Sequence, residues 1–144
     1  MANYCCTIRT NYFHVKDAEE FRRFMSHVQG NEDSVNLWEE TDDAGKLVFG
    51  FGVYGSIIGY VEDEDEDYDS DNAYDAFIAG LQQHVSENDA IIIFEAGNEK
   101  KCYVVGSALV ITSSATEYLD IRKLAVEKAA ELLKNPTYTT QTEY

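Results

Sequence analysis

Between positions 61 and 72 the chain reads VEDEDEDYDSDN, eight carboxylates with no positive side chain. The acids are Glu62, Asp63, Glu64, Asp65, Glu66, Asp67, Asp69 and Asp71, and Tyr68 sits among them. Two chemistries suit such a run: cation binding, or imitation of another polyanion. Calcium is the weaker fit. Acids alternate from Asp63 to Asp71, but an EF-hand loop needs glycine at its sixth position and a bidentate glutamate at its twelfth. Counted from Asp63 those places hold Tyr68 and Tyr74; counted from Asp67 they hold Asn72 and Ile78. Weak adventitious Ca²⁺ or Mg²⁺ binding is the most this offers, and no dedicated metal site is expected.

Imitation of a nucleic acid fits better. An extended chain advances about 3.3 Å per residue, so Glu62 through Asp67 set out charges at about the 3.4 Å spacing of phosphates along one DNA strand. That is about half the charge density of a duplex. A basic groove built for phosphates would attract it, and the attraction would weaken with salt. Tyr68, with Tyr60 and Tyr74 on either side, would add rigid apolar area and a π face for arginine. The competing readings are core packing for Tyr60 and Tyr74, and for the run a solvated loop. Acids just before a helix also have an ordinary use, because the helix dipole favours negative charge there.

The charge distribution separates these readings. The 144 residues carry 27 acids and 11 bases, a net charge of −16. Residues 47–99 hold 13 of the acids and none of the bases, leaving a net of −3 for the remainder. Solubility alone does not require that segregation. The same field repels phosphates, so direct binding of DNA or RNA is excluded.

Other candidate motifs lose to simpler explanations. GFGVYG (50–55) matches G-x-G-x-x-G, yet a dinucleotide site needs that motif to open a helix. Here SIIGY and the acidic run follow it. The histidines His14, His27 and His84 fall in no triad or metal pattern, and His27 and His84 come late in helical segments, where the dipole favours a cation. A Cys6 or Cys102 pairing with His14 in space remains the one nucleophilic arrangement open to the sequence. Small core residues are the expected role for Cys5 and Cys102. No catalytic residue, cofactor or enzyme activity is expected.

The elements that must position these residues read as follows. YCCTIRTNYF (4–13) is a strand. A helix follows, N-capped by Asp17 with Glu20 three residues on; Phe21, Phe24, Met25 and Val28 form its apolar face and Gly30 its end. SVNLWEE (34–40) and KLVFGFGVYG (46–55) flank TDDAG as a hairpin. Leu47, Phe49, Phe51 and Val53 line one face, while Gly50 and Gly52 on the other suggest close approach of a helix or backbone, or a bulge. SIIGY extends that strand or forms a short one of its own. From Asn72, Tyr74, Phe77, Ile78, Leu81 and Val85 recur at helical spacing.

AIIIFEAG (90–97) and KKCYVVGSALVITSS (100–114) form a second strand pair, its isoleucine run suited to a strand covered on both faces. Asp120 caps a last helix with Ile121, Leu124, Ala125, Ala129, Leu132 and Leu133 turned inward, ending at Asn135 and Pro136. The order β-α-β-β-α-β-β-α implies an α+β fold, a mostly antiparallel sheet packed against about three helices. One domain over 1–135 is expected, with a mobile tail over 136–144. No apolar run approaches the roughly 18 residues of a membrane span. The first residues show no basic-then-apolar signal pattern. With reduced thiols, this points to the cytoplasm.

The opening MANYCCTIRTNYFHVKDAEEFRRFM resembles a family of small proteins that begin MANYxxTxRTNYFxVKD and are associated with mobile genetic elements of gut bacteria. The resemblance extends through WEE, FGFGVYG, the acidic insert and AIIIFEAGNEK. It implies a setting in which host nucleases must be evaded, and acidic mimics of DNA are one solution. Together with the charge pattern, it leads to the expectation of a non-enzymatic inhibitor of anti-CRISPR or anti-restriction type. Its partner would be a basic, nucleic-acid-binding protein, contacted by Glu62, Asp63, Glu64, Asp65, Glu66, Asp67, Tyr68, Asp69 and Asp71. The alternative is an immunity-type or general interaction module for a basic protein. An unpaired hairpin edge leaves a homodimer open.

Overall fold

Residues alternating between the two faces build the sheet, and capped segments of helical periodicity build most of the helices. The computed structural model describes residues 4–62, 70–99 and 103–140. In chain order the elements are β1 (Tyr4–Thr10), α1 (Ala18–Met25), β2 (Val28–Gly30), β3 (Asn36–Thr41), β4 (Leu47–Tyr54), β5 (Ile57–Tyr60), α2 (Ser70–His84), β6 (Ile91–Glu99), β7 (Tyr103–Ile111), β8 (Thr116–Asp120) and α3 (Ile121–Leu133). This is the α+β arrangement expected from the sequence: one six-stranded sheet in the order β3-β4-β1-β6-β7-β8, every pair antiparallel, and a two-stranded ribbon of β2 and β5. Among the described residues no helix is long and apolar enough to cross a membrane.

The core lies between one face of the large sheet and the pair α1 and α2. Phe13, Phe21, Phe49, Phe51, Phe77, Leu81, Val85, Ile91 and Ile111 are fully buried there. Phe21 packs edge-on against Phe13 with ring centroids 5.6 Å apart and tilted against Phe49 at 5.0 Å. Phe51 meets both Phe13 and Phe77 edge-on. These are the offset geometries that aromatic quadrupoles prefer. Both hairpins form as read. In the first, Asp42 Oδ1 accepts from the N–H groups of Ala44 and Lys46, and Gly45 takes φ 80°. Asp17 and Asp120 cap α1 and α3, accepting from the N–H groups of Glu20 and Arg122.

Several expectations need correction. Helix α1 stops at Met25, so Val28 is not on its face; Val28 and Gly30 belong to β2, where pairing with β5 replaces another helical turn. SIIGY is accordingly a separate strand. Strand β8 was not foreseen, because TEYLD has too few residues to show a period. At the glycines of β4 the close approach is that of a neighbouring backbone and side chains, not of a helix: a Cβ on Gly52 would stand 2.8 Å from the Trp38 ring and 2.9 Å from the Ile8 carbonyl, and one on Gly50 3.2 Å from Tyr12 and 3.3 Å from the Asn11 carbonyl. Strand β6 is central, but only Ile91 and Ile93 are buried, with Ile92 half-buried and Phe94 exposed. Cys5 is exposed and Cys6 half-buried.

The largest correction concerns α3, which has no buried residue. Ile121 lies against Gly106, three residues from the inward Leu109 and so on the opposite face of β7. Leu124, Leu132 and Leu133, expected to turn inward, are exposed, Leu132 by 75%. The contrast with the aromatic core is measurable. Phe21→Ala should cost about 3–5 kcal/mol, while Leu132→Ala should stay within about 0.5 kcal/mol, both read by urea denaturation. A large loss at Leu132 would mean that α3 is covered in solution.

Candidate partner-binding face

Of the acids singled out in the sequence, Glu62 is exposed just after β5, and Asp71 stands in the first turn of α2. Asp63, Glu64, Asp65, Glu66, Asp67, Tyr68 and Asp69 lie outside the described residues. The elements bounding them are well defined. Val61 is buried and its N–H donates to the carbonyl of His27. A Cβ on Gly59 would fall 2.2 Å from the Ala73 carbonyl, so β5 and α2 are in direct backbone contact. The two flanking tyrosines divide. Tyr60 stacks on Phe24 with centroids 5.1 Å apart, which assigns it to packing. Tyr74, one turn after Asp71, is 39% exposed.

Tyr74 lines a cleft of about 270 Å³ between α2 and the core face of the sheet. Ile8, Ile57, Phe77, Ile93 and Leu109 make its floor; Tyr74, Tyr118, Glu95, Ser107 and Ser56 supply the polar groups. Glu95 is the only charged residue lining it among the described residues. The hydroxyl of Tyr4 donates to Glu95 Oε2 at 2.7 Å. Gly97 makes room for this, since a Cβ there would stand 2.6 Å from that hydroxyl. The other carboxylate oxygen has no hydrogen-bond donor among the described residues. Burial first, and then the Glu95 charge and Tyr118, push the Tyr74 hydroxyl above its ordinary pKa, so it stays protonated. Sequence reasoning missed Glu95, Tyr4 and Tyr118 because only the register of β1, β6, β7 and β8 brings them together.

Folding leaves the described carboxylates of residues 47–99 without arginine or lysine partners among the described residues. The ion pairs of arginine and lysine among the described residues are Arg22 with Glu39, Arg122 with Asp120, and Lys128 with Glu131. None involves a described carboxylate of residues 47–99. Arg9 instead lies over the Trp38 ring, 4.6 Å from its centroid.

His14 forms a second constellation. Its Nε2 is 2.7 Å from Asp42 Oδ2 and its Nδ1 2.8 Å from Asp89 Oδ2. Its backbone N–H also donates to Asp89 Oδ2, at 2.7 Å. The imidazole thereby ties the β3–β4 turn to the loop between α2 and β6. Only an imidazolium donates from both nitrogens. The Asp42 and then the Asp89 hydrogen bonds raise its pKa above the ordinary 6.5. Both carboxylates sit below their ordinary pKa: at Asp42 the His14 ring bond is the largest cause, while at Asp89 burial is the largest single influence and pushes upward, outweighed by the hydrogen bonds from the His14 backbone and ring and the Ala90 N–H together. With both nitrogens committed, His14 is a clamp rather than a base. It does not pair with Cys6, whose thiol is pushed up by burial and by Glu95. His84 also departs from expectation: it packs against Phe21 and Phe24, and burial lowers its pKa, favouring the neutral ring over a dipole-stabilised cation.

Among the described residues no group of three or more His, Cys, Asp or Glu is placed to hold a metal ion. Asp42 and Asp89 approach opposite nitrogens of His14 and do not converge on one point. The G-x-G-x-x-G glycines run along β4 and the turn after it, so they open no helix. A larger hollow of about 720 Å³, lined by Met25, Ser26, residues 28–35 and Val61, is open and has no histidine or cysteine among the described residues that line it. Comparison with protein-family models, with curated proteins and with solved structures gives no match.

The clamp sets a pH dependence of stability. A raised His14 pKa contributes stability that is fully present below about 6.5 and is lost as pH rises through the folded value. The lowered Asp42 and Asp89 contribute stability present above about 3.8 and lost as pH falls through theirs. The stability difference between wild type and His14→Gln should therefore be greatest near pH 5 and shrink on the alkaline side, in urea titrations across pH. A difference independent of pH would remove the imidazolium from the account.

Proposed function

We propose that this protein is a non-enzymatic inhibitor that occupies the nucleic-acid-binding groove of a bacterial defence protein, in the manner of anti-CRISPR and anti-restriction proteins. The observation that supports this most is the base-free stretch 47–99. It carries 13 of the 27 acids, and its described carboxylates make no ion pair with lysine or arginine among the described residues. A groove that holds phosphates presents lysines and arginines at the spacing the acidic run matches. Residues 62–71 would supply the charge, and Tyr74 at the start of α2 would add contact area. The commitment of both His14 nitrogens to carboxylates and the raised Cys6 pKa are consistent with a binding role rather than nucleophilic chemistry. The setting implied by the opening motif, mobile elements facing host nucleases, agrees with it.

The experiment compares wild type with a variant in which Glu62, Glu64 and Glu66 become Gln and Asp63, Asp65, Asp67, Asp69 and Asp71 become Asn. Both are tagged and used as bait in a lysate that contains defence nucleases, at low and high salt. Wild type should retain a nucleic-acid-binding protein that high salt releases, and the variant should lose it while unfolding at an unchanged urea midpoint. Equal capture by the two would contradict mimicry and move the contact to another surface.

A further inference from the structure

We propose that the cleft between α2 and the sheet receives one arginine side chain of the protein partner, so that recognition combines the diffuse acidic run with a single anchored contact. This rests on the preceding reading for the partner's basic character, but the cleft has its own chemistry. At about 270 Å³ it falls below the roughly 300–1,000 Å³ of pockets for drug-sized ligands, and a single side chain suits it better. Ile57, Phe77 and Leu109 offer an apolar bed for a methylene stem. At the polar end, Glu95 presents the carboxylate oxygen that Tyr4 leaves free, and the hydroxyls of Tyr74, Tyr118, Ser107 and Ser56 are further acceptors.

That distribution selects among cations. A guanidinium has five N–H donors in a plane and stacks on aromatic rings, whereas an ammonium is a compact point charge with three donors. The cleft has one carboxylate, several dispersed hydroxyls and two tyrosine rings at its mouth, Tyr118 being 62% exposed and Tyr74 39%. These match the planar, many-donor group. Among the described residues no lysine or arginine lines the cleft to compete for Glu95. Glu95 is also held in advance: Tyr4 fixes one oxygen across Gly97, so little side-chain freedom is lost on binding.

The test is a ¹H–¹⁵N NMR titration of the whole protein with N-acetyl-arginine amide, and with the lysine and citrulline analogues as comparison probes. Citrulline keeps the shape of arginine and removes its charge. Arginine amide should bind in the millimolar range and shift the amides of Tyr74, Glu95, Ser107 and Tyr118. Lysine should bind several-fold more weakly and citrulline should not saturate. Glu95→Gln should weaken arginine by about tenfold, the equivalent of 1.4 kcal/mol, and the dispersion of its spectrum checks that it is folded. Tyr118→Ala, at an exposed position, should weaken it by about threefold. Equal binding of citrulline, equal binding of lysine, or an unchanged Glu95→Gln affinity would overturn the proposal. In the run-neutralised variant these shifts should persist. Loss of mimicry with the cleft intact is thus distinguishable from failure of the cleft.

Discussion

Burial of Phe21 against Phe13 and Phe49 is the contact on which the rest of the architecture depends. Phe21 comes from α1, Phe13 from the segment leaving β1, and Phe49 from the middle of β4, so one aromatic contact fixes a helix, a strand and the chain between them. Phe51 and Phe77 extend it to α2. The neighbouring polar joints continue where the backbone ladder ends. Thr10 Oγ1 accepts from the Phe51 N–H, and Asn11 Oδ1 accepts from the Ile92 N–H. Phe13 and Phe49 then exchange backbone bonds, and His14 closes the corner between two loops. The motif RTNYFHVKD is thus a structural joint ending in the α1 cap.

This joint has a consequence for the acidic segment. With α2 seated on the aromatic core and β5 pressed against it at Gly59, the two ends of the run are anchored on the rigid body. A mimic of a polyanion benefits from such anchoring, because it fixes where on the molecule the charge is presented to a partner. Arg22, Arg122 and Lys128 are neutralised in pairs of their own. The field on the α2 side is therefore carried by carboxylates without arginine or lysine partners among the described residues, and salt governs its reach.

How much of this was legible follows from physical distance along the chain. The two long hairpins, the capped α1 and α3 and the periodic face of α2 are local patterns, and the sequence displays them. Strands β2 and β8, three and five residues long, are too short to stand out by alternation, whereas SIIGY was open from the sequence as a short strand of its own and β5 is that strand. The exposed face of α3 was misread because periodicity reveals that a helix has an apolar face but not what covers it. Glu95, Tyr4, Tyr74 and Tyr118 come from four separate elements, and His14, Asp42 and Asp89 from three loops. Only the register of the sheet assembles those sets. The acidic run was evident from composition alone, and so was its separation from every base.

The most direct test of the central claim is competition. A labelled oligonucleotide bound to an isolated defence protein is followed by fluorescence anisotropy while this protein is added at two salt concentrations. The account predicts complete displacement, with an apparent nucleic-acid affinity that falls in proportion to the added protein, and a potency that drops steeply as salt rises. Anisotropy that stays high at saturating protein, with all three components in one complex, would contradict it.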